Sequence, residues 1–295
     1  MQVGLHVPQV GPFARPDIIE PMARAADESG FDGLWVFDHV VLQKEQQSRY
    51  PYSADGHMGF RPTHDFLEAL TLLTYLAGIT QRTLLGTSVL VVPMRNPVYL
   101  AKVLATMDRL SNGRVVLGAG VGWWEQEYEV LGVPFARRGK RMDECLELMQ
   151  ALWRDEWVEY HGEFYDCVDW TCNPKPANGH IETWLGGESR QQLGRVGKYA
   201  DGWLATAKSL PTLEQDFAVA QEAARRAGRD PASLKIGLEG AVMISSQGME
   251  AAAEQLSQLA GRGIAHAIAG VNPREHERAP EIIREFGQEW LPKLK

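Results

Sequence analysis

The feature that most constrains this chain is an alternation. Short runs rich in β-branched and aromatic residues are each followed by a longer amphipathic stretch, and the unit recurs eight times. Strand-like runs fall at 3–7, 33–37, 84–92, 114–120, 182–186, 202–206, 234–244 and 264–269. Helical periodicity follows at 17–29, 65–77, 97–110, 135–153, 189–199, 213–227, 249–260 and 277–290. Repeated βα units build parallel sheets, and eight of them is the number that closes a barrel. An open, doubly wound sheet would need a GxGxxG turn after its first strand, whereas the turn here reads Val7-Pro8-Gln9-Val10-Gly11-Pro12-Phe13. The expectation is an α/β chain folded as a single (β/α)8 barrel over residues 1–295, with excursions at 42–62 and 156–181.

Composition narrows the partners. With 30 Lys and Arg against 38 Asp and Glu, the net charge is −8, which disfavours nucleic acid and anionic membrane surfaces. No apolar run reaches the ~18 residues of a membrane span, and the chain opens directly in a strand-like stretch, so a cytoplasmic protein is expected. Cys145, Cys167 and Cys172 form no metal-type pair and read as reduced thiols.

In a barrel of this kind, chemistry is expected where strands end at the C-terminal face. The first strand brings His6, either a proton-handling group at the mouth or a hydrogen-bonded core histidine. The second ends in Asp38-His39, where a carboxylate beside an imidazole suits general acid/base work, although a polar strand cap explains the pair too. Gly86, Thr87 and Ser88 interrupt a bulky third strand, as a bulge or the close approach of a flat ligand would require. In the fourth, Gly118-Ala119-Gly120-Val121-Gly122 clears space for a ligand or for a packed corner, and Trp123 and Trp124 follow it. Gly186-Gly187-Glu188-Ser189 leads into a helix and offers an anion nest, provided Glu188 turns away or hydrogen-bonds locally. It can equally be an ordinary capped helix start. No HxH pair or other ligand spacing points to a metal, and no GxSxG elbow is present.

The first excursion lies on the catalytic face and adds Tyr50, Tyr52 and Phe60, while His57 and His64 either supplement them or are merely exposed. The second reads as a small hairpin over 157–165, turning at His161-Gly162, on the opposite face or at an oligomer contact. The basic run from Arg137 to Arg141 is either a solvated face or a seat for an acidic ligand tail.

Taken in order, six segments carry a resemblance. They are Val3-Gly4-Leu5-His6-Val7-Pro8, Gly33-Leu34-Trp35-Val36-Phe37-Asp38-His39, Leu85-Gly86-Thr87-Ser88-Val89-Leu90, Asn96-Pro97-Val98-Tyr99-Leu100-Ala101-Lys102, Ser111-Asn112-Gly113-Arg114 with the glycine run, and Leu185-Gly186-Gly187-Glu188-Ser189 with Ala200-Asp201-Gly202-Trp203. Nearly end to end, the chain resembles the bacterial luciferase-like oxidoreductases, specifically the branch that uses the deazaflavin coenzyme F420. That resemblance implies a TIM barrel with the deazaflavin across its C-terminal mouth and a non-proline cis peptide between Ser88 and Val89. It implies a catalytic His39 and a coenzyme bound by Asp38, Ser88, Val89, Gly120, Val121, Gly186, Gly187 and Glu188. Where the family's sugar-phosphate dehydrogenases carry a glutamate after the glycine run, this chain has Trp123, so the acid of that mechanism is not expected here. A small, apolar or aromatic substrate bounded by His6, His57 and Trp123 is expected instead. The resemblance further implies a homodimer. An FMN-dependent monooxygenase served by a partner reductase, and a non-catalytic deazaflavin-binding protein, are the alternatives.

Overall fold

The computed structural model describes residues 1–294, and Lys295 lies outside them. Among the described residues eight parallel strands close on themselves: β1 (Gln2–His6), β2 (Gly33–Val36), β3 (Leu84–Thr87), β5 (Val115–Gly120), β8 (Glu182–Gly186), β9 (Gly202–Thr206), β10 (Lys235–Ile244) and β11 (His266–Val271). The short β4 (Leu90–Val91) resumes the third strand after an interruption and pairs with β5. Parallel pairing of β1 with β11, and of β3 with β5, completes the ring. Every residue of β2 and β5 is buried, as expected for parallel strands covered on both sides.

Between the strands run α1 (Pro16–Glu28), α2 (Ala69–Ile79), α3 (Pro97–Leu110), α4 (Glu125–Val130), α5 (Arg138–Arg154), α6 (Arg190–Tyr199), α7 (Leu213–Arg226), α8 (Met249–Gly261) and α9 (Ala279–Glu289), with a terminal turn α10 (Leu291–Leu294). The sequence sets their limits locally. In α3 the Asn96 side chain accepts from the N–H groups of Val98 and Tyr99, and Pro97 occupies the first helical position. In α1 the buried Ile19, Met22, Ala23 and Ala26 recur at three- and four-residue steps.

Several boundaries differ from the sequence reading, three of them for a visible physical reason. The second helix begins at Ala69 rather than 65, because Glu68 caps it by accepting from Thr71 N–H. The third strand breaks at the Ser88–Val89 bond, which is cis. The hairpin of the second excursion pairs β6 (Val158–His161) with β7 (Asp166–Trp170), so its turn spans 162–165 and its second strand lies later than expected. Glu144 of α5 holds that turn by accepting from the backbone of Glu163, Phe164 and Tyr165. The helix α4 was not foreseen.

Inside the barrel two indoles, Trp35 and Trp184, pack with Val116, Leu204 and Ile268. Trp35 is seated against Gly4, Gly33 and Gly86, and Trp184 against Gly202 and Gly237, where any Cβ would collide with the ring. Gly86 therefore makes room for Trp35 rather than for a ligand. Among the described residues no helix is long and apolar enough to cross a membrane.

Candidate active site

The strand ends surround a cavity of about 570 Å³ at the C-terminal face. Two other strand ends contribute Glu188 and Glu239, while the first excursion folds over the mouth and adds Tyr50, Tyr52, Met58 and Phe60 to the wall. Lys208 Nζ donates to the Pro51 carbonyl at 3.2 Å and ties this excursion to the far rim.

His39 lines the cavity at the end of β2. The residues before it are fixed by Gln9, fully buried, whose amide donates to the carbonyls of Phe37 and Leu67 and accepts from Phe37 N–H. The imidazole sits edge-on to Phe66, Trp123 and Trp124. Its Nδ1 lies 2.8 Å from Glu127 Oε2, and Glu127 Oε1 accepts from Val40 N–H at 2.6 Å. With Nδ1–H donated to that carboxylate, Nε2, which has no hydrogen-bond partner among the described residues, is the ring atom left to gain or lose a proton.

Glu127 corrects one expectation: the carboxylate that orients His39 is not the adjacent Asp38 but comes from α4. Tyr128, fully buried, anchors that helix by donating to the Val121 carbonyl at 2.8 Å. A sequence signal existed: Glu125-Gln126-Glu127-Tyr128 is a helical turn rich in acids at its N-terminus, closed by Gly132.

Asp38 lines the cavity, but its carboxylate is wholly buried and committed elsewhere. Both oxygens receive the Arg95 guanidinium, at 2.7 and 2.8 Å, and one also accepts from Val91 N–H. The side chain thus clasps the strand beyond the cis peptide, and its carboxylate, held by Arg95 and Val91 N–H, has no exposed surface.

Ser88 and Val89 line the cavity at the cis bond, beside Gly120, Val121 and Gly186. The glycine run is again explained by protein packing. A Cβ on Gly120 would lie 2.6 Å from Val89 Cγ2, and one on Gly186 would lie 2.8 Å from Val89 Cγ1. Gly118 likewise receives the Thr87 carbonyl. Together these glycines seat the bulge that carries Val89 toward the mouth.

At the next strand end Gly187 adopts a φ of +106°, and its carbonyl accepts from Trp203 Nε1. Glu188 bonds locally, accepting from the hydroxyls of Thr206 and Ser209 at 2.9 and 2.7 Å, and Ser189 caps α6 through Gln192 N–H. Gln192 lines the cavity and is 3% exposed, yet its Nε2 has no partner among the described residues. His6 Nδ1 and Ser88 Oγ, on two further lining residues, are also buried without partners. Buried polar atoms of this kind are costly unless something satisfies them.

His6 lines the mouth, with Nε2 at 3.6 Å from Glu239 Oε2. Trp123 lines it too and packs edge-on against Tyr50, with ring centroids 5.2 Å apart. His57 does not belong to the pocket: its side chain is exposed and lies outside the lining, as does that of His64. The basic run is also spent on structure. Arg137 pairs with Glu163, Arg138 stacks on Phe135, and the buried Arg141 donates to the Pro134 carbonyl. Among the described residues no group of three or more His, Cys, Asp or Glu side chains is placed to hold a metal ion.

Known proteins give this geometry a context. Two F420-dependent glucose-6-phosphate dehydrogenases are similar to the chain. The one from Nakamurella multipartita is 31% identical over 221 residues, 72% of this chain and 60% of its own length. The one from Amycolatopsis mediterranei is 30% identical over 198 residues, 66% of this chain and 54% of its own length. In solved structures, an F420-dependent secondary alcohol dehydrogenase in complex with an F420-acetone adduct shares the fold at a TM-score of 0.79 and 19% identity, covering 100% of this chain and 99% of that one. The monooxygenase RslO1 from Streptomyces bottropensis does so at 0.77 and 18%, covering 100% of both. The luciferase-like monooxygenase family matches residues 2–293, and the chain is an enzyme of that family.

Proposed function

We propose that this protein is an F420-dependent oxidoreductase acting on a small organic substrate in the cavity above the barrel. The observation that carries the reading is the His39 imidazole, clamped at Nδ1 by buried Glu127 and left open at Nε2 toward that cavity. The F420-dependent dehydrogenases among its relatives support the choice of coenzyme.

The cavity fits such a group on its own evidence. Gly186 and Gly187 lead to Ser189, the N-cap of α6, whose first N–H groups favour an anion, and the Gln192 amide nitrogen, unpartnered among the described residues, adds a donor there. Val89 offers an apolar surface beside Gly120 for a flat ring.

When bound, the deazaflavin supplies the hydride acceptor or donor. Around it, His39 accepts the proton of a substrate hydroxyl at Nε2 when that carbon is oxidised, and returns it in the reverse direction. Glu127 keeps the tautomer that makes this possible and balances an imidazolium once formed. Trp123, Tyr50, Tyr52 and Phe60 give the substrate an aromatic bed. The side chain of Asp38 takes no part in proton transfer; it fixes the strand behind the ring site through Arg95. We place the enzyme in the cytoplasm as a homodimer.

Titration with F420 and with FMN, read by tryptophan emission, tests the coenzyme. Saturable F420 binding with weak FMN binding is expected. Tight FMN binding without F420 binding overturns the reading in favour of a monooxygenase fed by a reductase.

A further inference from the structure

At the substrate end of the cavity, the chemistry is acidic and aromatic. Three carboxylates belong to the lining, and two are engaged by the protein: Asp38 by Arg95, and Glu188 by the hydroxyls of Thr206 and Ser209. Glu239 is different. It receives no hydrogen bond from the protein among the described residues, and no lysine or arginine pairs with it. His6 at 3.6 Å is within ion-pair reach but does not bring a permanent positive charge. The one lysine of the lining, Lys208, is exposed and donates to Pro51.

The backbone delivers Glu239 to this position. Pairing of β10 with β11 shifts register between Glu239 and Met243, and Gly240 adopts a φ of +72°, so the strand kinks directly after Glu239 at the rim. Facing it are Tyr50 and Tyr52, 5.5 Å apart at 71°, continued by Trp123. Desolvation first, and Glu239 second, hold the Tyr50 phenol above its usual range and push that of Tyr52 up to about 12. The carboxylate and the aromatic corner therefore share one electrostatic environment.

We propose that Glu239 is a specificity-determining residue and that the substrate carries a positively charged nitrogen, held between the Glu239 carboxylate and the faces of Tyr50, Tyr52 and Trp123. Cations are bound well by aromatic faces, and a carboxylate without a permanent counter-charge beside them selects cations over neutral or anionic analogues of the same shape. The inference rests on the cavity being the substrate site of the oxidoreductase proposed above, and it concerns the substrate alone.

The test is run on the protein without added coenzyme. Benzyltrimethylammonium, benzyl alcohol and benzoate are titrated in turn, read by quenching of tryptophan emission. The wild-type protein is expected to bind the ammonium about tenfold tighter than the alcohol and to bind benzoate most weakly. In Glu239→Gln the preference for the ammonium should fall to about threefold or less, and in Glu239→Lys benzoate should overtake it. Equal binding of the three probes by the wild-type protein, which needs no variant, overturns the proposal, and so does a preference that survives Glu239→Gln. Loss of F420 binding with the ammonium preference intact would remove the coenzyme reading and leave this one standing, whereas F420 binding without that preference would do the reverse.

Discussion

The two ends of the barrel each hold a histidine beside a tryptophan, and they treat it in opposite ways. At the closed end, His266 is 2% exposed, accepts from Trp35 Nε1 at 3.1 Å and meets Gln2 Oε1 through its other nitrogen. At the open end, His39 is held at one nitrogen and free at the other, while His6, Ser88 and Gln192 keep buried polar atoms without partners. At His266, which serves packing, the chain completes the hydrogen bonds of both ring nitrogens from within. Where a ligand is to complete such bonds, the fold leaves them open at some cost in stability.

The comparison breaks most visibly at His39. Replacing it with Ala removes the proton-transfer group, and turnover should fall by roughly 10²–10⁴-fold while F420 binding changes little. Steady-state kinetics alongside a coenzyme titration checks this, and a loss of binding equal to the loss of turnover would count against a proton-transfer role.

At the closed end the effect is on stability. Burial pushes the His266 pKa down to about 4 from an ordinary value of 6.5. An unfolded chain therefore binds the proton first, and its stability advantage grows as pH falls from about 6.5 to about 4. Two and a half pKa units correspond to about 3 kcal/mol of native stability lost across that window. Urea unfolding of the wild-type protein and of His266→Gln at several pH values should show the slope shrinking in the variant. An unchanged slope would mean that His266 is not kept neutral by burial.

The seat of the bulge comes next. In Gly118→Ala the new methyl meets the Thr87 carbonyl, a backbone atom that cannot swing away, and overpacking of this kind costs roughly 1–3 kcal/mol. A lowered Tm together with weakened coenzyme binding is expected.

Glu127→Gln should lower kcat by roughly tenfold to a hundredfold, part of the proton-transfer contribution, and alter its pH profile while KM moves less. A variant that changes only stability would reduce Glu127 to a structural brace. The smallest effect is expected at His57→Ala, on the exposed part of the excursion, where kinetics should match the wild-type protein.

Much of the barrel was legible because parallel strands and their helices write their periods directly into the residues. The eight strands emerge at nearly the expected positions, and His6, His39 and the Gly186-Gly187 turn reach one cavity. The glycines left two readings open, and the packed one holds, for a physical reason: a missing Cβ announces that something comes close, not what comes. At Gly86 it is Trp35, at Gly118 the Thr87 carbonyl, at Gly120 Val89. Adjacency in sequence misled at Asp38-His39, since neighbouring residues on an extended segment point apart. Asp38 turned to Arg95, and the partner of His39 came from Glu127, 88 residues away on a helix too short to stand out by periodicity. Such a pairing is set by tertiary packing and leaves no local trace.

The most direct measurement of the contrast between the two ends is a titration of isotopically labelled protein with F420, following the imidazole resonances of His6, His39 and His266 and the side-chain amide of Gln192. The account predicts that His6, His39 and Gln192 shift with saturation while His266 stays in place. Saturable binding that leaves the three mouth residues unmoved, or that moves His266 as much as His39, would contradict it.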